Sequence, residues 1–300
     1  MEQGVNSPDK EKQNEIMKEA LSCIGDALFH LFYNWRASIG RGYIAEAEAI
    51  SQCILQISVR KIRTLLAMCE GVLLIPNELS TKALDIPSMC SVLRSLCELA
   101  FMFHNIYAEQ DTKAERDLVL CLWKISGLNN RQNLKCIPSQ YKTKEENEKE
   151  QIKKLKEKIF VLAGELKLPR RFMLELEGML RSSSVEIKGY KFKKDEESNV
   201  TSFESIRFAQ GIEALLGEHS APLYRFLSMQ AHPSYLGVLQ FGQMFNQNED
   251  TKYLKTILTS ASIFASTVAL DFRDNIAGAK DAFDALPERE RHLVINFVEK

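Results

Sequence analysis

The positions of proline place the strongest constraint on how this 300-residue chain can fold. All eight prolines fall between apolar segments of helical period or in the first turn of one, and glycine, with 14 residues, is also scarce. Proline inside a helix removes a backbone donor and clashes with the preceding turn, so long helices exclude it from their interiors. The sequence therefore predicts an all-α protein built from long helices.

Apolar residues recur at three- and four-residue steps along most of the chain, which is the period of one helix side. We predict long helices over residues 7–39, 44–70, 87–108, 114–128, 144–168 and 250–277. Shorter helices are predicted over residues 169–182, 202–216, 220–232 and 287–298. Ser7 and Pro8 suit a helix start, and Ser202 suits an N-cap.

From these segments we predict a single bundle of about seven to nine helices, with an insertion that consists of a charged helix and a loop. We expect one domain over residues 1–300, with the insertion near residues 140–200. Its core helices are expected over about 8–130 and 202–278, followed by a short C-terminal helix at 287–298.

The insertion begins with a helix whose first half, "KEENEKEQIKKLKEK", is charged on every side. Such a segment is typical of a solvated helix that projects from a bundle, and a binding arm is the alternative. Residues 182–201 then alternate apolar and polar side chains around Gly189. This pattern is compatible with a small β-hairpin, but we favour a flexible surface loop.

Charge is balanced along the chain, with 39 Lys and Arg residues against 40 Asp and Glu residues. No global field therefore draws the protein to nucleic acid or to an anionic membrane, and contact with RNA requires a local basic patch. The N-terminal stretch is polar, and the longest apolar runs are interrupted by Arg94, Glu98, Lys255 and Asp271. We expect no membrane-spanning helix and a cytoplasmic location.

Seven cysteines, an odd number, lie mostly in apolar helical patterns and form no C-x-x-C pair. This usage is typical of buried, reduced thiols in a cytosolic protein rather than of a disulfide framework or a zinc site. The sequence also lacks the GxxxxGK[ST], GxGxxG, HExxH and GxSxG motifs of nucleotide, metal and acyl-transfer sites. We therefore expect neither a bound metal ion nor a cofactor.

Arg94 and Glu98 are four residues apart in the predicted helix 87–108 and therefore share one of its sides. The residues around them are leucine, cysteine and phenylalanine, so we expect the charged pair to be desolvated. Buried opposite charges need each other, which favours a structural ion pair within the helix. The alternative is a small-ligand pocket built from Arg94, Glu98 and Tyr224.

A second group of polar residues lies in "LYRFLSMQAHPSY", residues 223–235. Tyr224, Ser228 and His232 follow one another at four-residue steps and form a stripe on one side of the predicted helix. Arg225 is seven residues before His232 and faces the same way. Histidine suits proton transfer near neutral pH, and arginine holds phosphate through its fork of donors. Arg225 and His232 are thus candidate catalytic residues for metal-free cleavage of a phosphodiester.

The same histidine also has a structural interpretation. In the last turn of a helix, a histidine interacts favourably with the negative end of the dipole and can bond free carbonyl groups, and the proline that follows ends the helix there. The protein is then a non-catalytic interaction or scaffold protein with a buried polar network. That network would consist of Arg94, Glu98, Tyr224, Ser228 and His232.

The two segments "VLRSLCELAFMFHNIY" and "LYRFLSMQAHPSY" resemble a family of bacterial all-helical proteins of uncharacterised function. Its members carry an arginine and a glutamate on a central helix and a Tyr…Ser…His-Pro pattern on a later one. The resemblance covers about residues 87–240 and implies an all-helical fold without indicating a chemistry.

The segment "RFLSMQAH" is also similar to the HEPN superfamily of helical bundles, whose ribonucleases carry an arginine, a short spacer and then a histidine. This second resemblance implies a homodimer of toxin or defence type that cleaves RNA without a metal ion. It places Arg225 on the phosphate and His232 in proton transfer. The chain differs from active members at Phe226, where they usually carry a polar residue. Nuclease and non-catalytic interaction protein both remain open at this point.

Overall fold

The computed structural model describes residues 8–40, 42–79, 82–134, 138–182, 186–217, 220–232, 234–247 and 250–298. Within these ranges the chain forms twelve α-helices, and its strands form two small two-stranded sheets. The predicted all-α class is confirmed.

The elements follow one another in the order α1 (Pro8–Ile39), α2 (Glu46–Met68), β1 (Val72–Leu73), β2 (Lys82–Ala83), α3 (Ile86–Tyr107), α4 (Lys113–Gln132), α5 (Lys142–Glu165), α6 (Arg170–Arg181), β3 (Gly189–Lys194), β4 (Val200–Ile206), α7 (Phe208–Leu216), α8 (Ser220–Ala231), α9 (Tyr235–Gln247), α10 (Asp250–Asn275), α11 (Ala279–Asp284) and α12 (Glu288–Val298). The predicted long helices correspond to α1 to α5 and α10, with ends that differ by a few residues. The short helices α9 and α11 were not predicted, which brings the total in the described residues above the expected number.

The chain divides into two compact units, which we describe separately. Unit 1 comprises Met1–His104 and Ile212–Lys300, and unit 2 comprises Asn105–Gly211. The predicted insertion at residues 140–200 lies inside unit 2. The prediction that residues 1–300 form one domain stays a prediction.

Unit 1 is organised around α1, which packs against α2, α10, α11 and α12. Trp35 near the end of α1 is fully buried, and its ring meets the edge of Phe272 on α10 at a centroid distance of 5.3 Å. Its indole nitrogen donates a hydrogen bond of 2.9 Å to the carbonyl of Ala277. Gly40 ends the helix with a φ of +65°, a left-handed conformation that glycine adopts without strain. Packing and capping thus agree on where α1 stops.

Helix α3 is buried on most of its circumference, as its apolar sequence predicts. Phe103 stacks on Phe272 of α10 at 6.4 Å between centroids. At the next residue of α3, Nδ1 of His104 lies 3.0 Å from the carboxylate of Asp271, whose pKa is raised by burial although the histidine opposes the shift. The side of α3 that carries Arg94 and Glu98 is half-buried.

Two helices in the described residues are long and apolar enough to cross a membrane by length and composition alone. They are α3 and the Lys252–Asn275 part of α10. In the most apolar 18-residue stretch of each helix, 56% of α3 and 72% of α10 is buried inside the protein. A buried core helix passes the same test. The expectation of a chain without membrane spans therefore stays a prediction.

The cysteines are free thiols wherever the structure describes them. Cys69, Cys90, Cys97 and Cys121 are buried, and burial raises the pKa of Cys90 to about 12. Cys53 is exposed, which departs from the expectation of buried thiols. The seventh cysteine, Cys136, lies outside the described residues.

Unit 2 begins with the end of α3 and continues with α4 and α5, which pack against each other. A capping box starts α4: the Thr112 hydroxyl accepts from the Glu115 backbone N–H, and the Glu115 carboxylate accepts from the Thr112 N–H. The predicted solvated, projecting helix is α5, and this interpretation needs correction. One side of α5 is buried from its first half onward, at Glu148, Ile152, Leu155, Ile159 and Leu162.

The segment for which we favoured a flexible loop contains an antiparallel β-hairpin of β3 and β4, so that prediction was wrong. Tyr190 and Phe203 stack across the hairpin at 5.1 Å, which explains the alternation of aromatic and polar residues. Ser202, predicted as a helix cap, lies in β4, and the helix after it begins only at Phe208. Burial of Tyr190 and Phe203 on one side of the hairpin therefore outweighs the local helix-start signal at Ser202.

Asn105 fixes the hairpin to α3 through its side-chain amide. Its Oδ1 accepts from the Tyr190 backbone N–H at 2.8 Å, and its Nδ2 donates to the Tyr190 carbonyl at 2.9 Å. Gln110 donates a further hydrogen bond of 3.2 Å to the same carbonyl. Asn105 is fully buried, so no water replaces these bonds.

We expect Asn105→Ala to lower the free energy of unfolding by about 1–3 kcal/mol, because it leaves the Tyr190 N–H buried without its partner. The measurement is urea denaturation followed by circular dichroism. Asn130→Ala, at an exposed position of α4, is the matched control and should change stability by less than about 0.5 kcal/mol. Equal stability of the two variants would contradict the assigned role of Asn105.

Candidate functional site

The end of α8 presents His232 to solvent. The helix ends at Ala231, so His232 is the first residue beyond it and is exposed. The chain then turns sharply: the Ser234 N–H donates to the His232 carbonyl at 2.7 Å, and a Cβ on Gly237 would lie only 2.6 Å from the carbonyl oxygen of Met229. Glycine is therefore required at the start of α9. Pro233, the predicted helix stop, lies outside the described residues.

Glu98 on α3 joins two side chains through one oxygen. Its Oε1 accepts a hydrogen bond of 2.9 Å from Nε of Arg94 and a hydrogen bond of 2.7 Å from the hydroxyl of Tyr224 on α8. The Arg94 guanidinium also lies over the Tyr224 ring, 5.6 Å from its centroid. The predicted ion pair of Arg94 and Glu98 is therefore present, and it extends to a second helix.

His232 joins this group through Arg94. The distance between Arg94 Nη1 and His232 Nε2 is 2.7 Å. A guanidinium only donates hydrogen bonds, so Nε2 is the acceptor in this contact. We call Arg94, Glu98, Tyr224 and His232 the α3 cluster. The fold brings these four predicted residues together, although they are up to 138 positions apart.

Burial and charge both act on the titration of the cluster. Burial, reinforced by the hydrogen bond to Glu98, raises the pKa of Tyr224 to about 12. For Arg94, burial alone would lower the pKa, but the contact with Tyr224 and the charge of Glu98 raise it above its ordinary value. Tyr224 therefore keeps its proton and Arg94 keeps its charge over the physiological range.

Lys61 and Ser95 extend the polar side of α3 toward α2, and the sequence analysis missed both. Lys61 Nζ donates a hydrogen bond of 2.7 Å to the Ser95 hydroxyl. Burial lowers the pKa of Lys61, and the charge of Glu98 opposes this shift. No spacing rule connects a lysine on one helix with a serine on another, so only their packing reveals the pair.

Arg225 and Ser228 lie outside the α3 cluster. Arg225 is exposed and Ser228 is half-buried, and within the described residues neither side chain makes a hydrogen bond or an ion pair. The arginine in contact with His232 is thus Arg94 rather than the predicted Arg225. Phe226 stacks on Tyr253 of α10 at 5.4 Å, so the aromatic ring by which this chain differs from active HEPN members serves packing.

Solvent reaches three of the four members of the cluster, whereas Tyr224 is buried. The side chains of Arg94 and Glu98 are 24% and 29% exposed, and His232 is exposed. Chemically, the arrangement offers an imidazole, a side chain suited to proton transfer, beside a guanidinium that binds oxyanions. No group of three or more His, Cys, Asp or Glu side chains suited to a metal ion occurs among the described residues.

The family model of DUF5677, described as a family of unknown function, matches residues 71–250, more than half of the chain. The match includes all four members of the α3 cluster and excludes Lys61. Neither a curated protein nor a solved structure matches the chain.

The shared oxygen of Glu98 predicts that Glu98 and Tyr224 are energetically coupled. In a double-mutant cycle of Glu98→Ala and Tyr224→Phe, we expect a coupling free energy of about 1 kcal/mol or more, because each change removes the same hydrogen bond. The measurement is chemical denaturation of the four proteins. A cycle with Tyr33→Phe, an exposed tyrosine of α1, should be additive. Additivity in the Tyr224 cycle would show that the hydrogen bond contributes nothing to stability.

Proposed function

This chain belongs to the DUF5677 family, a family of unknown function, and from the geometry of the α3 cluster we propose that it is a HEPN-like ribonuclease that cleaves RNA without a metal ion. The observation that carries the proposal is the 2.7 Å contact between the Arg94 guanidinium and the His232 imidazole at a solvent-exposed helix end. Glu98 and Tyr224 hold that guanidinium in place.

The cluster contains the groups that cleavage by an internal nucleophile requires. When RNA binds, Arg94 Nη1 leaves His232 Nε2, the freed Nε2 takes the proton of the ribose 2′-hydroxyl, and the 2′ oxygen forms a bond to phosphorus. Arg94 turns its donors to the phosphoryl oxygens and stabilises their developing charge. The bond from phosphorus to the 5′ oxygen breaks, that oxygen takes up a proton, and the products are a 2′,3′-cyclic phosphate and a 5′-hydroxyl end.

Arg225 has a separate role in this proposal. It lies on α8, which ends just before His232, and is exposed. A free guanidinium at this position suits contact with a neighbouring phosphate of the strand. Its contribution is therefore to binding, whereas Arg94 and His232 act at the scissile phosphate.

A second copy of the chain is the protein partner that fits this function, because HEPN ribonucleases act as dimers. Helix α9 begins three residues after His232 and exposes large apolar side chains. They are Tyr235, Leu236, Val238, Leu239 and Phe241. An apolar surface of this kind marks an interaction site, and its position beside His232 would bring two sites close together. We expect the dimer to be cytoplasmic.

A structural role is the second candidate, and the complete pairing of the cluster favours it. Arg94, Glu98 and Tyr224 all find partners within the cluster, as in a network that fixes the positions of α3 and α8. In that case the protein has no nuclease activity. His232→Ala then lowers the free energy of unfolding by about 1–3 kcal/mol and changes nothing else.

The ribonuclease proposal is tested by incubating the purified protein with single-stranded RNA in excess EDTA. We expect cleavage to products with 2′,3′-cyclic phosphate ends, and no cleavage of a strand that carries 2′-deoxyribose at the scissile position. His232→Ala and Arg94→Gln should each lower kcat by about 100-fold or more. Arg225→Gln should instead raise KM several-fold.

Arg289→Gln, an exposed arginine of α12, is the charge-matched control and should cleave at the wild-type rate. Thermal melting of each variant separates loss of activity from loss of fold. Wild-type activity in folded His232→Ala would reject the assigned site. Absence of cleavage by the wild-type protein together with a lower melting temperature of His232→Ala would favour the structural role.

The dimer is tested by light scattering after size-exclusion chromatography. We expect twice the mass of the chain for the wild-type protein and a shift toward the monomer for Val238→Glu, because the charge would be buried in the apolar interface. Val161→Glu, at a similarly exposed valine of α5, should leave the mass unchanged. A monomeric wild-type protein would contradict this part of the proposal.

A further inference from the structure

A basic side chain from another part of the fold approaches each border of the polar side of α3. Successive helix residues are turned by about 100°, so Glu98 lies between Arg94 and Ser95 on the helix surface. On the Arg94 border, His232 approaches from α8. On the Ser95 border, the Lys61 ammonium approaches from α2. A ligand over the middle of this surface therefore meets an imidazole on one side and an ammonium on the other.

The Ser95 hydroxyl differs from other hydroxyls of these helices in what it bonds. Ser58 and Ser91 donate to the backbone carbonyl four residues before them, which is the ordinary arrangement for serine inside a helix. Ser95 instead accepts a hydrogen bond from Lys61. That bond holds the ammonium against the polar side of α3, where a flexible lysine would otherwise extend into solvent.

Of Lys61, Tyr224 and Arg94, Lys61 is the side chain whose pKa is lowered. The Tyr224 hydroxyl donates a hydrogen bond to Glu98, and the pKa of Tyr224 is raised to about 12. The pKa of Arg94 is raised as well, despite burial. Burial lowers the pKa of Lys61 from its ordinary value, although the charge of Glu98 opposes the shift. A general acid is more effective the closer its pKa lies to the working pH.

We propose that Lys61, positioned by Ser95, is the general acid that protonates the leaving 5′ oxygen, an assignment that rests on the ribonuclease function proposed above. The proton balance is then complete within one chain. His232 takes the proton of the 2′-hydroxyl, and the Lys61 ammonium gives one to the 5′ oxygen as its bond to phosphorus breaks. Transfer of a proton from the imidazolium to the neutral amine through water restores the starting state.

The test compares two RNA substrates that differ in one atom. In the second, a sulfur atom replaces the 5′ oxygen at the scissile position, and a thiolate leaves without being protonated. We expect Lys61→Met to lower kcat on the ordinary RNA by about 100-fold and on the 5′-thio RNA by less than about 3-fold. His232→Ala should lower kcat on both substrates, because the 2′-hydroxyl must be deprotonated in each.

Arg60→Met is the matched control, because Arg60 is the exposed cation next to Lys61 on α2. It should leave kcat unchanged on both substrates. Ser95→Ala provides a second variant if Lys61→Met does not fold. It keeps the ammonium but removes the hydroxyl that holds it, and it should lower kcat on ordinary RNA by about 10-fold and spare the 5′-thio RNA.

The outcomes separate this assignment from the function on which it rests. Equal losses on both substrates in Lys61→Met and Ser95→Ala would overturn the role of Lys61 and leave the ribonuclease function in place. Wild-type kcat of folded Lys61→Met on ordinary RNA would overturn it too. Failure of the wild-type protein to cleave either substrate would overturn the function and the assignment together.

Discussion

A charged pair on a largely buried helix requires polar partners from the helices that pack around it. Most of α3 is covered by apolar contacts such as that of Phe103 with Phe272, but Arg94 and Glu98 need polar partners on the remaining side. Tyr224 and His232 supply them from α8, and Lys61 approaches from α2. The positions of α2 and α8 are therefore coupled to the chemistry of one side of α3.

The same demand accounts for the partial exposure of the site. A charged pair in the deep interior would be sealed by its partners, whereas Arg94 and Glu98 are half-buried and His232 is exposed. Partial burial is enough to shift the pKa values of Lys61 and Tyr224 in opposite directions while the cluster keeps contact with solvent. These contacts connect α3 with α8, and the reaction site that we propose consists of the same residues; activity measurements distinguish the two roles.

Much of the fold could be predicted from periodicity, because a helix side repeats every 3.6 residues regardless of what covers it. The prediction failed where tertiary contacts outweigh local pattern. The β3–β4 hairpin depends on stacking of Tyr190 on Phe203 and on the amide of Asn105, which is 85 residues away. Helix α5 has so many charged residues in its first half that the sequence pattern does not identify its buried side. Only its packing against α4 in the structure does.

For the candidate site, too, some features could be predicted from the sequence and others depend on tertiary contacts. The sequence by itself determined the all-α class and indicated Arg94, Glu98, Tyr224 and His232, because spacing within one helix specifies which side each residue occupies. Only the tertiary structure decided that Arg94 rather than Arg225 meets His232, and that Lys61 meets Ser95. These are contacts between helices, and they depend on how apolar surfaces pack, which no spacing along the chain records.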